Sequence, residues 1–145
     1  MVEKFGDAAL RHLGTAEVLE DEGRIDDAAY HYGLVGETAL KAAVESAIAP
    51  LPKELRKHIN QRDNNGNDVS LQTSIVNYAR SAKLLANGRL GGALLSDLTH
   101  TLLNLRFTGW SLNIRYADSD CCPVSDGDLA VWKADAIALF NGGVF

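Results

Sequence analysis

The chain has 145 residues, 46% of them hydrophobic and 23% charged, the balance of one globular domain with its own core rather than of a disordered or fibrous chain. No apolar run approaches the ~18 residues needed to span a bilayer, and the opening MVEKFGDAALRHLG lacks the basic-then-apolar layout of a signal peptide, so a cytoplasmic protein without a membrane partner is expected. The net charge of −5 argues against a strong nucleic-acid binder.

The charge is uneven. Acids dominate residues 1–27 and 118–145, and bases dominate residues 28–117. Lys53, Arg56, Lys57 and Arg62 could form a local basic face, although a solvated helix surface explains them as simply. The cysteines, Cys121 and Cys122, are adjacent, which suits neither an unstrained disulfide nor a metal site without further ligands. Two reduced thiols in a loop, no metal and no cofactor are the expectation.

In chain order, the first predicted helix covers about Val2 to Glu22. Leu10, Leu13, Ala16 and Leu19 recur at helical spacing, and Gly23 ends it as a left-handed residue beyond the C-cap. A second begins near Asp26, read as its N-cap, with Ile25 and Tyr30 placed for a hydrophobic staple. It runs to about Ala49, before Pro50 and Pro52. A short helix or turn at Lys53–Ile59 precedes the polar stretch NQRDNNGND, an expected loop over about 60–68.

Long helices are expected at about Val69–Ala86 and Leu90–Arg106, then an irregular segment over about 107–124. The last helix starts at Ser125, where S-D-G-D fits a capping box, and ends at Asn141-Gly142. No segment alternates with period two, so no sheet is expected. The fold class is all-α: one domain over 1–145, an antiparallel bundle of four to five helices with short connections.

The second helix carries two stripes. Tyr30, Leu34, Glu37, Lys41, Val44 and Ile48 form one, in which Glu37 and Lys41 stand four apart with the acid first, the favourable order for an intrahelical pair. Gly33, Gly36, Leu40, Ala43 and Ala47 form the other, small enough for another helix to approach closely. Glu37 and Lys41 should therefore lie near a helix contact, where burial demands partners. Arg106 or Arg115 could also pair with Glu37.

Ala9, His12, Leu13, Ala16, Leu19, Gly23-Arg24, Ala28-Ala29-Tyr30, Gly33, Glu37 and Ala39-Leu40-Lys41-Ala42 together resemble the HEPN domain of prokaryotic stress and defence proteins. The segment FTGWSLNIRYAD, with Trp110 and Arg115-Tyr116, is similar to a W…RY stretch in one branch of that family. The resemblance covers residues 5–48 closely and 84–140 loosely. It implies a helical bundle that dimerises. It also implies either a metal-independent RNase or a binding or regulatory module, often beside a nucleotidyltransferase in a toxin–antitoxin setting.

The family's RNase motif is an Arg, four to six residues, then a His, late in the bundle. Arg106 and Arg115 are followed by no His, since the last one, His100, precedes both. Arg24 and His31 match the spacing literally but at the wrong place, and the tyrosine that family antitoxins modify has no counterpart, because Tyr32 follows His31 directly. RNA cleavage without a metal needs a histidine titrating near neutrality and a cation for the phosphorane. His100 with Arg106, or His31 with Arg24, are the weak candidates for that chemistry, and no Walker loop, dinucleotide fingerprint or nucleophile elbow is present.

The leading expectation is a non-catalytic nucleotide- or RNA-binding, or regulatory, module. Its groove would be built from Glu37, Lys41, Arg106, Trp110, Arg115 and Tyr116. Its expected partners are a second copy of the chain and a nucleotidyltransferase. A noncanonical RNase is one alternative. A tetratricopeptide-like scaffold is another, suggested by the similarity of EGRIDDAAY to NGRLGGALL, 65 residues apart by their Gly23 and Gly88.

Overall fold

A computed structural model describes residues 4–47, 107, 109, 110, 114 and 124–142. They form three helices, α1 (Phe5–Asp21), α2 (Ile25–Ala47) and α3 (Asp126–Gly142), and no strand is found among the described residues. The described part is therefore all-α, as expected. The predicted short helix at 53–59, the loop over 60–68 and the long helices at 69–86 and 90–106 lie outside the described residues.

Phe5, Ala9, Leu13, Ala16 and Leu19 place one face of α1 on the core, with Ala9 and Ala16 fully buried. Leu10 was expected on that face but is 61% exposed. At about 100° per residue, it sits roughly a quarter turn from the line joining Ala9 and Ala16. The three-to-four spacing of leucines misled because alanines, not leucines, mark the centre of the contact.

α1 closes as the sequence suggests. Gly23 has φ +77°, a left-handed conformation open to glycine at little cost. Its N–H donates to the Glu20 carbonyl at 3.0 Å, and the Arg24 N–H donates to the Leu19 carbonyl at 2.8 Å. These two bonds are the Schellman pattern, which satisfies carbonyls the helix leaves open and turns the chain back on itself.

The start of α2 differs from expectation. The Arg24 carbonyl accepts the Ala28 N–H at 2.9 Å, so the helix begins at Ile25. Asp26 does not cap it. Its Oδ1 accepts the backbone N–H of Val124 at 2.9 Å instead. The carboxylate thus ties the entry of α3 to the first turn of α2, where it also faces the positive end of the helix dipole. Asp26→Ala should leave that half-buried N–H without its acceptor. A loss of about 1–2 kcal/mol is expected from denaturant midpoints.

Ser125 supplies its half of the predicted capping box. Its Oγ accepts the Asp128 N–H at 3.0 Å, capping α3. Leu129, Trp132, Ala136 and Leu139 then turn inward against α2.

α2 is the spine, buried through Ala28, Ala29, Tyr32, Val35, Ala39, Leu40 and Ala43 and in contact with both α1 and α3. The expectation that its small stripe admits another helix needs correction at its two glycines. What seats there is a pair of aromatic rings. A Cβ on Gly33 would stand 2.0 Å from the Trp110 indole, and one on Gly36 would stand 2.4 Å from the Phe107 ring. Phe107 itself has φ 56°, a strained conformation for a bulky residue. It is held by its N–H donating to Asp135 Oδ2 at 2.8 Å and by complete burial of its ring.

Candidate functional site

Three groups of polar side chains involve α2. The first is Glu37 with Lys41. The predicted pair forms, Lys41 Nζ donating to Glu37 Oε1 at 2.9 Å, with the side chains only 3% and 5% exposed. One turn of helix sets the spacing, and burial of both side chains removes the pair from water. The Lys41 ammonium also lies over the Phe5 ring, 5.5 Å from its centroid. That contact ties the pair to the start of α1 and adds a cation–π attraction.

The second group joins α1 to α2. His12 Nδ1 and His31 Nδ1 stand 3.2 Å apart, with the Tyr30 ring edge-on to His31. Both rings are half-buried. Burial lowers the His12 pKa from its ordinary range, aided by the repulsion of His31 and Arg11 and opposed by Glu37. Burial lowers that of His31 too, against the pull of Asp27. Both imidazoles are therefore biased towards the neutral form.

Below the ordinary pKa of 6.5 the unfolded chain takes up protons that the folded chain resists. Stability therefore rises with pH through that window and falls on acidification. In chelator-containing buffer, the denaturation midpoint should drop between about pH 7.5 and about pH 5.5, and His12→Gln should flatten that slope. Glu20, whose pKa is lowered chiefly by a hydrogen bond from the Tyr32 hydroxyl, contributes separately at lower pH.

The third group lines an open cleft of about 560 Å³ between the α1–α2 turn and α3. Glu20, Ile25, Asp126, Leu129, Lys133 and Ile137 form much of its wall. Tyr32 Oη donates to Glu20 Oε2 at 2.6 Å, and Lys133 Nζ meets the same oxygen at 3.0 Å. The tyrosine hydrogen bond, ahead of Lys133, lowers the Glu20 pKa. Burial and then the Glu20 bond push the Tyr32 hydroxyl up, so it stays protonated and donating. The volume is that of a small-molecule site, but two carboxylates against one ammonium make it a poor seat for phosphate.

Of the residues read from the sequence as groove or catalyst, Glu37 and Lys41 are brought together. Trp110 is fully buried: its Nε1 donates to the Ala29 carbonyl at 2.8 Å and its ring stacks on Tyr30 at 6.3 Å, so it acts as a core residue. Arg24 precedes α2 and pairs with Asp27 at the surface, while His31 engages His12. Arg106, Arg115, Tyr116 and His100 lie outside the described residues.

His12 was not expected beside His31, nor Tyr32 and Lys133 on Glu20. One signal was available. A hairpin closed at Gly23 brings residues two to three turns before and after it alongside each other, and His12, about three turns before, and His31, just over two turns after, are so placed.

Comparison with protein-family models, with curated proteins and with solved structures found no match.

Proposed function

We propose that the chain is a non-catalytic, HEPN-like bundle of four to five helices that binds a nucleotide or RNA, or regulates a partner such as a nucleotidyltransferase. The observation that carries this reading is the commitment of the polar groups on and before α2. Arg24 is held by Asp27, His31 meets His12, and Glu37 is closed on Lys41. Each candidate for chemistry in this region thus has an intramolecular role that explains its presence. The HEPN resemblance supplies the ligand class, and the basic residues Lys53, Arg56, Lys57 and Arg62 supply charge for a phosphate backbone.

The alternative of a noncanonical RNase draws on His31 with Arg24, or on His100 with Arg106 or Arg115; of these, His31 stands against the His12 ring. In-line cleavage, however, places base and acid on opposite sides of the phosphorus. Two rings in mutual contact at 3.2 Å cannot flank it without separating.

The test is to incubate purified protein with labelled RNA and with nucleotides, following binding and cleavage together. Saturable binding without cleavage is expected. Cleavage that disappears in His100→Ala or His31→Ala would overturn the non-catalytic reading in favour of the RNase. Light scattering on the same sample tests the dimer that the reading includes.

A further inference from the structure

The histidine pair has a geometry that the binding-module reading does not use. Tetrahedral zinc holds imidazole nitrogens at about 2.0–2.1 Å, which places two such nitrogens about 3.3 Å from each other. The Nδ1 atoms of His12 and His31 are 3.2 Å apart. With each nitrogen on its ring, a shared ion would separate the ring centroids by about 5.2 Å, and the observed separation is 5.3 Å. The rings come from two different helices, α1 and α2, joined by the Gly23 turn.

We propose that His12 and His31 form a two-histidine chelate for a borderline divalent transition-metal ion of the zinc–copper class, bound through both Nδ1 atoms and clipping α1 to α2. Among the described residues no cluster of three or more His, Cys, Asp or Glu side chains offers a metal site, so among them the two imidazoles are the ligands of the proposed site. Both rings are only half-buried, which leaves the ion a path to solvent. Their burial favours the neutral imidazole that a metal requires. Copper should bind more tightly than zinc, and magnesium, which prefers oxygen ligands, should not bind.

A second arrangement shares the same separation. One Nδ1–H can donate to the other Nδ1, which requires opposite tautomers on the two rings. The chelate requires both protons on Nε2. The two states are therefore distinguishable by nitrogen chemical shifts in the intact chain, without any substitution.

The experiment uses the full-length protein stripped with chelator and titrated separately with zinc, copper and magnesium chloride. It is followed by calorimetry, by thermal melting and by histidine nitrogen shifts. One equivalent of zinc or copper per chain is expected, with a raised melting temperature and both Nδ1 resonances moved. His12→Gln and His31→Gln should each weaken binding at least tenfold while keeping the metal-free helical signal. Absence of saturable binding overturns the proposal. So does binding that survives both substitutions, or that is lost only in Cys121→Ser/Cys122→Ser, which would place the ion on the thiols. If a substituted chain fails to fold, the nitrogen shifts of the unsubstituted protein decide: unmoved Nδ1 resonances at saturating zinc contradict the chelate.

Discussion

Glu37→Leu is expected to destabilise the protein by about 3–5 kcal/mol, the range for breaking a buried ion pair by removing one partner. The reason is what remains. Lys41 is 4% exposed, and without the carboxylate its ammonium is left with the Phe5 ring, whose centroid is 5.5 Å away. A cation–π contact contributes about 0.5–2 kcal/mol, too little to offset desolvation of a charge. Chemical denaturation should show a lower midpoint with an unchanged slope if the native fold persists.

Gly33→Ala and Gly14→Ala should have opposite signs. Helix propensity alone favours alanine over glycine by about 0.8–1 kcal/mol at both positions. At Gly14 no atom lies within 4 Å of the added Cβ, so that gain is kept and the variant should be more stable. At Gly33 the Cβ would fall 2.0 Å from Trp110 Cε2 and 2.5 Å from Nε1. The indole is rigid and is fixed by its bond to the Ala29 carbonyl. Moving it costs about 1–3 kcal/mol from overpacking, with the loss of a buried hydrogen bond added. The steric effect outweighs propensity, and a net loss of about 2 kcal/mol or more is expected. Thermal melts of the two variants beside the parent chain would show it.

These two sites also show how much the sequence made legible. The helical class, the Gly23 turn, the Ser125 cap and the Glu37–Lys41 pair are local properties, fixed by spacing of three or four residues or by one backbone conformation. They were readable for that reason. What occupies Gly33 and Gly36 is not local. The rings arrive from residues more than seventy positions away, and a stripe of small residues does not say whether a helix or an indole will fill it. Asp26 illustrates the same limit: its type and place suit a cap, but a tertiary partner, the Val124 N–H, takes the carboxylate. The His12–His31 contact lies between, since it follows from a hairpin whose register the turn position only approximates. Arg106, Arg115, Tyr116 and His100 lie outside the described residues, and with them much of the groove expected from the HEPN resemblance.

The Glu37–Lys41 pair is the centre of the account, because α2's most functional-looking residues are assigned there to holding the fold together. A double-mutant cycle through Glu37→Leu, Lys41→Met and the combined variant measures that assignment directly. The account predicts that each single change is costly and that the double variant recovers part of the loss, with a coupling of about 1–3 kcal/mol. Single changes that are each nearly neutral and strictly additive in the double variant would contradict it, and would return Glu37 and Lys41 to the list of residues kept for something other than stability.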